Sequence, residues 1–194
     1  MKDYYRSIKT YPTDFKVPLS DSNRGHRIFQ LANGILTLVI SDPSNEIGSA
    51  SICVATGSHN DPDYIPGLAH LCEHALFMGT KEFPKPNLYH ETVQAYGGLT
   101  NAFTTGEQTC FQFEVPVING NIGNLNPKTN MEEDGDESIF DHVLRNFASF
   151  FKSPLFRENE IRNEISSVNE ENICNLSSPE KIFFHAWLLY TSPS

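Results

Sequence analysis

At 194 residues with a formal net charge of −10, the chain is long enough for one large domain with a sizeable core, and its acidic balance, with no clustered basic surface, argues against nucleic-acid binding. No apolar run reaches membrane-spanning length and the start, MKDYYRSIKTYPTDFK, lacks the apolar core of a secretory signal, so the cytoplasm is the expected compartment. Cys53, Cys72, Cys110 and Cys174 show no CxxC spacing; they read as small buried hydrophobes rather than a zinc knuckle or a disulfide framework.

Residues 1–27 are polar and proline-punctuated, an N-terminal extension in extended form; residues 28–194 are expected to hold the domain proper. Asn33-Gly34 signals a turn before a β-branched strand over 35–40, which Asp42-Pro43 closes. A second strand is expected over 51–56, ending at Gly57, and the two are expected to pair as neighbours. After a loop over 61–66, Leu68, Leu71, Ala75 and Leu76 repeat at helical spacing, with Gly79 as the stop. Pro84 and Pro86 mark a loop; Asn87 is a candidate cap for a helix running to Tyr96 and ending at Gly97-Gly98. Thr109 to Val115 alternates, with Phe111, Phe113 and Val115 on one side, and predicts a strand with one buried face. Between 117 and 138 the composition turns to Asn, Gly, Asp and Glu, including the run Glu132-Glu133-Asp134-Gly135-Asp136-Glu137. This reads as a disordered polar insertion, with an acidic docking loop as the alternative. Phe140, Val143, Leu144, Phe147 and Phe151 fall at helical spacing, and another helix begins near Arg157. The apolar stretch 182–190 reads as the middle of a helix although the chain ends at Ser194, so a fragment of a longer protein is expected. The fold class is α+β, a mixed sheet covered by helices.

The string His70-Leu71-Cys72-Glu73-His74 carries the chemistry. Two histidines four apart share a helix face and can reach one metal ion, and Glu73 between them can handle a water proton. That set suits metal-assisted hydrolysis; the plainer alternative is a solvated or core-satisfied histidine pair. A catalytic zinc takes three protein ligands, and the segment 160–171 is the best source of a third. At ~100° per residue, taking Ile161, Ile165 and Val168 as the buried stripe, Glu170 lies opposite the core while Glu164 and Glu171 flank it, two turns apart. Each could equally be a surface charge. Cys72, beside Glu73, could block the site if modified, although an inert packed thiol is the plainer reading.

HLCEH, with its glutamate in the inverted order, resembles the inverzincin metallopeptidases of the pitrilysin and insulin-degrading-enzyme family. The stretches LANGILTLVISDP, GSHNDPDYIPGLAHLCEHALFMGTKEFP, GGLTNAFTTGEQTCFQFEV, FASFFKSPLF and NEISSVNEEN are similar to that family in the same order, from about Arg27 to about Lys181. The resemblance implies the first domain of a pitrilysin-type zinc metalloendopeptidase, built elsewhere from four related domains in two halves around a chamber. It implies one Zn²⁺ held by His70, His74 and Glu171, with Glu73 as general base and Glu164 supporting a ligand without touching the ion. The insertion lengthens the separation from His74, which leaves Glu170 as an alternative to Glu171. Asn101, Ala102 and Phe103 match the edge strand that pairs with substrate backbone. Within the family the likeness is to fungal members of peptide-pheromone maturation and axial bud-site selection. That implies a peptide or prenylated-peptide substrate and a cytoplasmic protein that can sit at the bud neck or cell cortex. The C-terminal half of its own full-length chain would complete the site, leaving this segment alone poorly active. The alternative role is a catalytically silent scaffold in cell polarity.

Overall fold

In the computed structural model, residues 9–10, 19–117 and 138–176 are described, with the single positions 179 and 183. The chain divides into two compact units, Met1–Glu46 and Ile47–Ser194. In the first, strands β1 (Lys9–Thr10), β2 (Gly25–Gln30) and β3 (Leu36–Ser41) form an antiparallel sheet in that order. At the end where β2 starts and β3 finishes, Arg24 pairs with Asp21 at 3.0 Å and Asp42 at 2.8 Å.

The second unit contains strand β4 (Ile47–Val54), helices α1 (Leu68–Leu76) and α2 (Leu88–Ala95), strands β5 (Leu99–Thr104) and β6 (Thr109–Pro116), and helices α3 (Ile139–Lys152) and α4 (Glu158–Leu176). Its sheet is antiparallel in the order β4-β6-β5. The alternation in β6 explains its central place: Phe111, Phe113 and Val115 are buried while Gln112 and Glu114 are exposed. Onto that apolar face pack Tyr89 and Val93 of α2 and Val143, Phe147 and Phe150 of α3. Tyr89 meets Phe150 edge-on at 4.9 Å and Phe113 meets Phe147 at 5.2 Å, the geometry aromatic quadrupoles favour. Between α2 and β5 a Cβ on Gly98 would lie 2.6 Å from Val115 Cγ1 and 3.1 Å from Val93 Cγ1, so only glycine lets the chain turn onto the sheet there. Ser138 starts α3 by accepting from the Asp141 N–H at 3.1 Å and donating to its carboxylate at 2.7 Å, a reciprocal cap.

Several expectations change. The strands expected as partners pair elsewhere, β3 with β2 and β4 with β6; two strands were not foreseen from periodicity, Gly25–Gln30 beside β3 and Leu99–Thr104 on the far side of β6 from β4, because their alternation is too weak to mark a strand. The second strand runs Ile47–Val54, earlier than expected. Asn87 starts α2 through its backbone, at φ 63°, with no capping bond from its side chain. Cys53 and Cys110 sit directly opposite in the β4–β6 register and are joined in a disulfide, whereas Cys72 and Cys174 are free. Cross-strand partners 57 positions apart leave no spacing signature in a sequence. The polar insertion, apart from its end residues Val117 and Ser138, lies outside the described residues, as does the 182–190 stretch apart from Phe183. Among the described residues no helix is long and apolar enough to cross a membrane.

Phe111, 1% exposed at the centre of the sheet, should lose about 3–5 kcal/mol of stability on truncation to alanine. Leu99→Ala, at a position 68% exposed, should change stability by less than about 0.5 kcal/mol; shifts in the urea-unfolding midpoint measure both.

Candidate metal centre

The apolar positions of α1, LAHLCEHAL, turn Ala75 and Leu76 into the core, and the same twist gathers His70, Glu73 and His74 on the remaining side. Asp61 sets the helix start: its carboxylate accepts from the Gly67 N–H at 2.7 Å and the Ala69 N–H at 2.8 Å. Two otherwise unpaired donors are thereby satisfied, and a negative charge meets the positive end of the helix dipole. Arg157 fixes where α4 begins, donating to the Pro84 carbonyl in the loop after α1 at 2.7 Å and to Glu160 at 2.8 Å.

With both helices so anchored, α4 lays Glu164 and Glu171 along α1. His70 Nε2 and His74 Nε2 are 3.1 Å apart, and Glu171 Oε2 lies 3.7 and 3.8 Å from them. All three ligand atoms fall within 4.8 Å of one another. Donors about 2.0–2.1 Å from a single tetrahedral zinc lie about 3.3 Å apart, so the set needs only small side-chain adjustments to hold an ion. On the far side of His74, Nδ1 lies 2.7 Å from Glu164 Oε1. A proton on Nδ1, donated to that carboxylate, leaves the Nε2 lone pair facing Glu171. Glu171 rather than Glu170 is the carboxylate brought to the histidines. The stripe assumed for α4 is wrong at Ile165, which is 50% exposed; α4 turns the sector holding Glu164 toward α1 and leaves Ile165 at the surface.

Glu73 is 7% exposed, and Thr104 of β5 donates to its Oε2 at 2.6 Å. A cavity of about 310 Å³ opens beside it, lined in part by Glu73, His74, Phe77, His90, Asn101 and Ala102. Strand alternation separates the three predicted edge-strand residues: Ala102 is half-buried, while Asn101 and Phe103 are exposed and Phe103 does not line the cavity. Cys72 is exposed rather than packed, because its place on α1 faces away from the core; partial desolvation by its neighbours still pushes the thiol pKa up, which disfavours the reactive thiolate.

Sequence reading missed Asp61, Arg157, Thr104 and His90. Thr104 was reachable by parity, since it shares a strand face with Ala102. Nothing local marks Asp61, and Arg157 shows only its i,i+3 partner Glu160; the contacts that fix each helix start go to backbone groups. Burial lowers the pKa of His90, and its Nδ1 finds no hydrogen-bond partner among the described residues.

The sequence signature of the family described as Insulinase (Peptidase family M16) matches residues 36–187. The putative protease AXL1 of Saccharomyces cerevisiae is 46% identical over 97% of this chain and 14% of its own length. The A-factor-processing enzyme of the same organism is 36% identical over 89% of this chain and 15% of its own. Among solved structures, pitrilysin superposes with a TM-score of 0.69 at 25% identity, covering 88% of this chain and 16% of that one. The chain thus spans about one seventh of the length of these curated relatives.

Asp61→Ala should cost about 1–2 kcal/mol through the lost helix cap. Asp61→Asn, which keeps one acceptor oxygen, should cost less; urea-unfolding midpoints give the comparison.

Proposed function

This chain belongs to the insulinase family, peptidase family M16, and on that premise we propose that it carries the zinc-binding and base-bearing part of a metalloendopeptidase. The observation that supports the reading most is the convergence of His70, His74 and Glu171 from two helices distant in sequence, with a buried glutamate beside them. Two imidazoles and one carboxylate suit Zn²⁺ and leave a fourth position open. When bound, the ion would supply Lewis acidity, lowering the pKa of a water toward ~7 and polarising the scissile carbonyl.

The residues of this chain do the rest. Glu73 accepts the proton of the attacking water and returns it to the leaving amine. Glu164 holds the His74 ring through Nδ1, fixing its tautomer and orientation. Among the described residues β5 is an edge strand of its sheet, so the backbone N–H and C=O groups on its outer side can add an extended peptide as a further strand, with Asn101, Ala102 and Phe103 along the contact. Main-chain pairing of this kind selects extended peptides and leaves side-chain preference to the adjoining cavity.

The likeness to AXL1 and to the A-factor-processing enzyme supports a peptide or prenylated-peptide substrate, with roles in pheromone maturation and axial bud-site selection. The protein would act in the cytoplasm, at the bud neck or cell cortex. In this proposal residues 28–194 are the catalytic domain following an extension over 1–27, and the C-terminal half of the full-length chain completes the site. A scaffold that had shed its chemistry would not need the full set of His70, Glu73, His74 and Glu171, which is retained here.

In the full-length protein, Glu73→Gln should keep one zinc per chain while peptide turnover falls about 10²- to 10⁴-fold; turnover at the wild-type rate would contradict the proposal. His70→Ala and Glu171→Ala should lose the metal. Glu164→Gln should weaken zinc binding roughly 10- to 100-fold, as read by competition with a chromogenic chelator.

A further inference from the structure

We propose that Thr104 is a positioning residue for Glu73, its hydroxyl fixing the carboxylate in the orientation needed to take a proton from water; the inference rests on the peptidase reading of the site. The Thr104 hydroxyl donates to Glu73 Oε2 at 2.6 Å, and this is the only hydrogen bond the carboxylate makes to the described residues. Glu73 is nearly buried, so its orientation cannot be left to solvent, and the terminal torsion of a glutamate is intrinsically broad. Tethering one oxygen fixes the direction of the other. A base must lie within about 2.6–3.2 Å of the oxygen whose proton it abstracts, a tolerance that a freely rotating carboxylate does not meet.

Thr104 is itself held. Its register partner across the β5–β6 hairpin is Thr109, and the two hydroxyl oxygens are 3.3 Å apart. Each hydroxyl has one proton: that of Thr109 goes to the Thr56 carbonyl at 2.9 Å, and that of Thr104 goes to Glu73. The turn beyond them is closed by the Thr105 N–H donating to the Gln108 carbonyl at 2.8 Å and the Gln108 N–H to Thr105 Oγ1 at 3.2 Å. The segment before α1 is pinned to the same turn, Ser58 N–H to Thr105 O and His59 N–H to Gly106 O, both at 2.9 Å. Gly57 makes the approach possible, because a Cβ there would lie 2.7 Å from Gln108 N and 2.8 Å from Glu107 N. The segment leading to Asp61 and α1 is thus tied to the hairpin that presents Thr104, which sets the donor and the base in one frame.

The test compares Thr104→Val, Thr104→Ala and Thr104→Ser in the full-length protein with a fluorogenic peptide, and measures zinc per chain beside kcat and KM. Thr104→Val should lower kcat roughly 10- to 100-fold with KM within about twofold and zinc stoichiometry unchanged. Thr104→Ala, which leaves room for water and guards against misfolding of the valine variant, should behave alike, and Thr104→Ser should recover most of the loss. Wild-type kcat in the folded valine or alanine variant would overturn the inference. So would a serine variant as poor as valine, or a loss of kcat that tracks a loss of zinc. An inactive wild type, or a fully active Glu73→Gln, would instead overturn the peptidase reading itself.

Discussion

The contact on which the second unit turns is the one between His74 Nδ1 and Glu164 Oε1, 2.7 Å long and bridging 90 positions of sequence. Once α1 commits its apolar residues to the core, its opposite side carries two imidazoles and a nearly buried carboxylate, groups that are costly to take from water unless each finds a partner. α4 answers that demand for His74 with Glu164 and brings Glu171 to the open edge of the pair. β5 answers it for Glu73 with Thr104. The polar side of one short helix therefore decides which face α4 presents and how the edge strand is placed.

Precision at such a cluster depends on supports that do not touch it. Asp61 fixes the phase at which α1 begins, and Arg157 fixes the start of α4 against the loop that leaves α1. The β5–β6 turn carries the hydroxyl that meets Glu73, and the segment ahead of α1 is hydrogen-bonded to that turn. The Cys53–Cys110 bridge ties β4 to β6 one residue after Thr109. Rigid supports of this kind hold a reacting group within about half an ångström, where looser ones forfeit much of the rate.

Local chemistry was legible in the sequence and long-range pairing was not. The histidine pair, the glutamate between them and the strand Thr109–Val115 followed from periodicity, because each belongs to a single element whose repeat imposes the pattern. Glu164 and Glu171 could be separated from Glu170 by helical phase, yet the stripe used to phase the helix failed at Ile165, since α4 meets α1 along a narrow polar seam and leaves apolar residues outside it. Family resemblance supplied what phase left open between surface charge and ligand. β2 and β5 escaped because their polar residues mask the alternation, and the cysteine pair escaped because register, not spacing, makes neighbours of Cys53 and Cys110. Asp61 and Arg157 bond to backbone groups, which have no sequence identity to read.

The central claim is that α1 and α4 converge to hold one zinc ion through His70, His74 and Glu171. Crystals grown with zinc, with anomalous differences recorded above and below the zinc edge, test it directly. The claim requires a single strong peak about 2.0–2.2 Å from His70 Nε2, His74 Nε2 and a Glu171 oxygen, with Glu164 on His74 Nδ1 and outside the coordination sphere. No peak between the two helices, or a peak ligated by Glu170 or Glu164 in place of Glu171, would contradict it.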